Sequence, residues 1–119
     1  MKELFDLFDE IGLPYFRQGS LSDEDYKPDF FTYWNIDTPN KSFYDNAERR
    51  YIERVQIGFY TNDAEKIYSQ LDEGGEFYTK AKAKGFVFEG RARDADADKK
   101  NYSGRVCYIA IIHKKGDKQ

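Results

Sequence analysis

Histidine, cysteine, methionine and tryptophan each occur once in this chain of 119 residues, and proline occurs three times. A single cysteine excludes an intrachain disulfide. Cys107 also sits inside the apolar run 106–112, where a free thiol behaves as a small hydrophobe, so a reducing compartment is the expectation. A single histidine means that any Ser-His-Asp or Cys-His mechanism must run through His113, which is flanked by strand residues and lysines and by no nucleophile motif. Six positions separate Cys107 from His113; along a strand this places them on one side but roughly 20 Å apart, too far for proton transfer. An enzyme is therefore not expected, and no cofactor is implied. Positive charge is not in excess either: the formal net charge is −3, which argues against nonspecific nucleic-acid binding. No apolar run approaches the roughly 20 residues of a membrane-spanning helix, so neither membrane insertion nor secretion is expected.

Aromatic residues are what the chain has in plenty. They make up 18% of it, with ten Tyr and ten Phe, against 39% hydrophobic and 34% charged residues overall. At this length a single domain over residues 1–119 buries roughly two-thirds of its unfolded surface. Twenty phenyl rings exceed what so small a core needs, and tyrosine suits half-wet positions at protein interfaces. The richest stretch runs from Phe30 through Phe31, Tyr33, Trp34 and Ile36 to Thr38-Pro39, then through Phe43 and Tyr44. Aromatic and β-branched residues predict a strand over 30–36, and Pro39 stops it, leaving an aromatic-tipped loop.

Leu4, Leu7, Phe8 and Ile11 recur at helical spacing before Gly12 and Pro14, which predicts a short amphipathic first helix. Residues 15–29 have no period and read as a mobile polar loop. In the next strand Tyr51, Val55, Ile57 and Phe59 share one face, with Glu53 the exception, while Arg54 and Gln56 face the other way. Asn62 then caps a second helix whose stripe is Ile67, Leu71, Tyr78 and Ala81, ending at Gly85, with a kink or break at Gly74-Gly75. Residues 86–93 predict a third strand and 105–114 a fourth, central and buried on both faces. A polar hairpin loop over 94–104 joins them, and 114–119 reads as a short polar tail. The expectation is an α+β domain in the order α-β-β-α-β-β, a mainly antiparallel four-stranded sheet packed against two helices.

Asp94, Asp96 and Asp98 would fall on one side of an extended segment, as hard oxygen ligands do, but an EF-hand register puts Lys99 at the turn glycine and Arg105 at the bidentate glutamate. A solvated hairpin tip is the better reading, and no metal site is assigned. Trp34 reads first as a core anchor and second as an interface anchor. Arg49, Arg50, Arg54, Arg91, Arg93 and Arg105 form a scattered basic set suited to acids on a partner chain.

Several pieces in sequential order carry a resemblance: Phe31-Thr32-Tyr33-Trp34, Asp37-Thr38-Pro39, Ser42-Phe43-Tyr44-Asp45-Asn46, Phe59-Tyr60-Thr61-Asn62-Asp63, Lys84-Gly85-Phe86 and Ser103-Gly104-Arg105. In these the chain resembles the tail-completion or tail-terminator (head-tail joining) proteins of long-tailed bacteriophages and prophages of Gram-positive bacteria. The resemblance implies a virion structural protein, made in the host cytoplasm, that forms a homo-oligomeric ring of sixfold order on the tail tube. It also implies tail-tube and head-connector proteins as partners. Interface candidates are Tyr33, Trp34, Phe43, Tyr44, Arg49, Arg50, Arg91, Arg93 and Arg105. The alternative is a ferredoxin-like binding module for single-stranded nucleic acid or a protein partner, which the missing basic groove and missing RNP1-type run disfavour.

Overall fold

The computed structural model describes residues 2–22, 26–36, 44–45 and 50–114, with the side chains of 44, 45, 50, 51 and 114 outside the description. Two helices, α1 (Lys2–Ile11) and α2 (Glu76–Ala83), accompany seven strands: β1 (Tyr15–Arg17), β2 (Asp29–Asn35), β3 (Tyr44–Asp45), β4 (Arg50–Thr61), β5 (Val87–Phe88), β6 (Arg93–Ala95) and β7 (Ser103–Lys114). The strand order is β1-β2-β4-β7-β5, with β3 beside β4 and β6 beside β7. Every pairing is antiparallel except that of β1 with β2.

The backbone of the fold is the pairing of β4 with β7, twelve residues each, in a register that sets Ile57 opposite Cys107 and Tyr60 opposite Gly104. Because side chains alternate across a strand, this register divides the sheet into two faces. One carries Phe31, Tyr33, Val55, Ile57, Phe59, Cys107, Ile109 and Ile111, and both helices pack on it. Leu4, Leu7 and Phe8 of α1 are fully buried there, as are Phe77 and Ala81 of α2. Phe8 stacks on Phe31 at 4.7 Å between ring centroids, and Phe77 lies 5.5 Å from Phe31. Glu10 links the two helices by ion pairs to Lys80 (3.2 Å) and Lys84 (3.4 Å), which hold its carboxyl below the usual carboxylate range.

The α+β class and the two helices are as expected, whereas the four-stranded sheet and the order α-β-β-α-β-β are not. Residues 15–17, inside the expected loop, form β1, since Tyr15–Arg17 pair in parallel with Phe31–Tyr33. The expected third strand splits at Gly90, whose φ of +89° favours glycine, into β5 and β6, both on the outer edge of β7. The expected hairpin loop therefore begins as strand, and its far end is anchored by Tyr102, whose hydroxyl donates to the Lys27 carbonyl at 2.8 Å.

The long second helix is also absent. Asp63, not Asn62, caps a 3-10 turn (Ala64–Lys66), accepting from the Glu65 amide, and α2 starts only after Gly75. Gly74 has φ +89°, and a Cβ at Gly75 would stand 2.5 Å from the Gln70 carbonyl oxygen, so this turn is closed to other residues. Strand β7 is central as expected, but it is not buried on both faces: Ile112 is exposed.

Candidate functional site

The second face of the sheet carries no helix among the described residues. Reading the register across it, one row is Phe30, Tyr60, Gly104 and Ala95; the next is Thr32, Gly58, Val106 and Arg93. Beyond them lie Trp34, Gln56 and Tyr108, then Arg54, Ala110 and Val87, then Ile52 and Ile112. Ile36, whose amide donates to the Arg54 carbonyl at 3.0 Å, continues the alternation of β2.

The two ends of this face differ. At the Phe30 end, Phe16, Tyr26, Phe30, Tyr60 and Tyr102 cover the sheet with their own rings at centroid distances of 5.5–6.0 Å. Glycine makes this possible, since a Cβ at Gly104 would come within 2.6 Å of the Tyr60 ring and one at Gly58 within 2.9 Å. At the other end the face stays open. Trp34 (41% exposed), Ile36 (44%), Val87 (46%) and Ile112 (41%) are four of the five exposed large hydrophobic side chains among the described residues, and all lie here. The Arg17 guanidinium sits over the Trp34 ring at 5.0 Å, and Arg54 donates to Glu89 at 3.2 Å across the patch. This end of the face is an exposed apolar surface laced with paired charges.

Of the sequence-derived interface candidates, Trp34 alone is on this patch; it is an exposed residue and not a core anchor. Tyr33 points to the helical face, where its ring meets Phe5 edge-on at 5.1 Å. Phe43 and Arg49 lie outside the described residues, and of Tyr44 and Arg50 only the backbone is described, Tyr44 pairing with Tyr51 and Arg50 with Asp45 and Lys114. Arg91 and Arg93 are exposed, Arg93 on β6 in the row of Thr32, Gly58 and Val106. Arg105 faces the helical side of the sheet and its charge is spent within the chain. Its Nε donates to Asp72 at 3.0 Å, Nη2 to the other oxygen of the same carboxylate, and Nη1 to Asp94 at 2.9 Å, while Tyr68 lies beneath it at 4.8 Å. These bonds raise its pKa, and the resulting fork ties β7 to the 67–75 segment and to β6. Arg105 lines a hollow of about 640 Å³ whose other charged residues are Asp72, Glu73 and Arg91.

Ile36, read only as part of the strand 30–36, and Val87 and Ile112 were not among the interface candidates. The available signal was alternation: Ile112 falls in register with Ala110 and Tyr108, opposite to Ile111 and Ile109, and so belongs to whichever face the helices leave bare. His113, at the helical end of the sheet, meets Glu53 at 3.0 Å and Glu3 at 3.8 Å. Burial, with a smaller push from Asp72, raises the Cys107 thiol to about 12. No protein-family model and no curated protein matches the chain.

Proposed function

We propose that this chain is a non-catalytic assembly subunit that forms a closed homo-oligomeric ring, and that its role is that of a phage tail-completion or tail-terminator protein joining the tail tube to the head connector. The observation that carries the assembly reading is the convergence of Trp34, Ile36, Val87 and Ile112 on one uncovered end of the sheet. The tail-tube role, the sixfold order and the connector partner rest on the sequence resemblance. A head-to-tail ring buries such a patch on every copy, because each contact uses two different surfaces and the rotation closes. Strand β7 adds an edge, since among the described residues no strand pairs with the β5 side of 111–114. The non-catalytic reading draws support from a buried thiol held neutral and a histidine engaged by carboxylates.

The test is purified protein mixed with polymerised tail-tube protein and viewed by negative-stain electron microscopy. The expected result is a ring of density on tube ends and tubes of arrested length. Tubes that grow unhindered and bear no added density would overturn the tail-terminator role. An association that instead follows added single-stranded RNA, with no tube binding, would favour the nucleic-acid module, for which Trp34 beneath Arg17 is the stacking platform.

A further inference from the structure

A head-to-tail contact needs two unlike surfaces, and the open apolar end supplies only one of them. Its charge balance says what the other must carry. Arg54 is neutralised by Glu89, whereas Arg17, exposed and lying over the Trp34 ring, meets no carboxylate among the described residues. A surface that covers Trp34 covers this guanidinium too, and taking an unpaired cation out of water is unfavourable unless a carboxylate receives it. The complement is a concavity with apolar walls and a free carboxylate.

One place among the described residues combines these. The hollow of about 640 Å³ lies between the 67–75 segment, α2 and the β5–β6 turn, with Leu71, Tyr78 and Phe88 in its lining. Asp72 is taken by Arg105, but Glu73 is exposed and has no ion-pair or hydrogen-bond partner among the described residues. The hollow's four charged residues cancel, and Asp94 on Arg105 adds a negative charge, so an incoming cation is favoured. Tyr68, the one exposed large hydrophobic side chain away from the open end, stands on Arg105 and is 59% exposed. By volume the hollow holds roughly twenty waters, room for an indole and a guanidinium together. The cavity that Asp96 and Asp98 line, about 130 Å³, holds roughly four and is too small. By register Arg105 and Phe88 belong to the helical face and Trp34 to the other, so no copy can fill its own hollow.

We infer that this hollow receives the Trp34 and Arg17 pair of the next copy of the chain, the guanidinium meeting Glu73 and the indole lying against Tyr68 and Phe88. This rests on the ring reading above and names the second surface that such a ring requires.

The test is a charge-swap cycle, read by sedimentation velocity over a concentration series, on wild type, Arg17→Glu, Glu73→Arg and the double variant. Both positions are exposed, and far-UV circular dichroism checks that each variant is folded. Each single reversal should weaken association roughly tenfold or more, and the double should return to within about threefold of wild type. A second readout needs no charge change: benzoylphenylalanine in place of Trp34, irradiated in a mixture of isotopically light and heavy chains, should crosslink copies at 68–78 or 88–92. Wild type that stays monomeric throughout would overturn the ring reading and this inference with it. Association left intact by the single reversals, a double variant no better than the singles, or crosslinks between copies outside those residues would overturn this inference alone.

Discussion

The two faces of this sheet are made of the same strands, yet one is a core and the other is a surface in two halves. Phe31 and Trp34 are three residues apart on β2: the first is 0% exposed beneath α1 and α2, the second 41% exposed with Arg17 above it. Composition does not separate the faces, since both are rich in aromatic and aliphatic side chains. What separates them is what lands on top: helices on the first face, the subunit's own Tyr26 and Tyr102 on half of the second, and nothing among the described residues on the other half. Apolar surface left bare after a subunit has folded is free to stabilise contacts between subunits.

Truncation on the helical face is the sharpest way to probe this difference. Phe31→Ala or Phe59→Ala should cost about 3–5 kcal/mol in urea unfolding, because either leaves a cavity among Phe8, Phe77 and the sheet. Trp34→Ser or Ile112→Ser should change the stability of the dilute subunit by less than about 0.5 kcal/mol while weakening association. Comparable losses at both kinds of site would dissolve the distinction.

The buried thiol gives a pH signature of the closed face. Cys107 stays neutral in the folded state while the unfolded thiol ionises above its ordinary value of 9.0, so stability present below pH 9 is lost as pH rises toward about 12. Over the full range this amounts to about 3–4 kcal/mol, and Cys107→Ala should flatten the decline in a denaturant series between pH 8 and 11. Native protein should also react slowly with iodoacetamide at pH 8. Rapid labelling would mean that the face opens.

Two further substitutions bear on how the edges are held. Arg105→Met strands Asp72 and Asp94 without their cation and should cost about 2 kcal/mol, reduced from the figure for fully buried pairs because Asp94 is solvated. Arg105→Lys should recover little of it, having no fork. Gly104→Ala sets a Cβ against the Tyr60 ring and the Ala95 carbonyl and should cost about 1–2 kcal/mol by thermal unfolding. A neutral result there would show that Tyr60 does not lie where the covered half of the face requires.

Long periodic elements were legible in the sequence because their signals are local: Leu4, Leu7, Phe8 and Ile11 mark α1, and the odd positions of β4 mark its buried side. Elements defined by distant partners were not. Tyr15–Arg17 become a strand only by pairing with Phe31–Tyr33, and β6 only by pairing with 104–106. Gly74-Gly75 announced an interruption of the second helix, but not that residues 67–75 would be irregular throughout. The site was half legible. Surplus aromatics pointed to contact, and Trp34 was named; its companions Val87 and Ile112 come from separate strands and meet it only once the β4–β7 register is set. Arg105 shows the converse, since a basic residue that looks available in sequence is consumed by Asp72, 33 residues and roughly 110 Å of extended chain away.

Trp34 is the sole tryptophan and stands at the centre of the question, so its fluorescence across a concentration series, read beside sedimentation velocity on the same samples, tests the account most directly. The account predicts solvent-exposed emission and ready acrylamide quenching in the dilute subunit. As larger species form, emission should shift to the blue and quenching should fall in step with them, and Ile112→Lys should suppress both changes. Assembly with Trp34 emission and quenching unaltered would place the interface elsewhere and contradict the claim that the open end of the sheet is where copies meet.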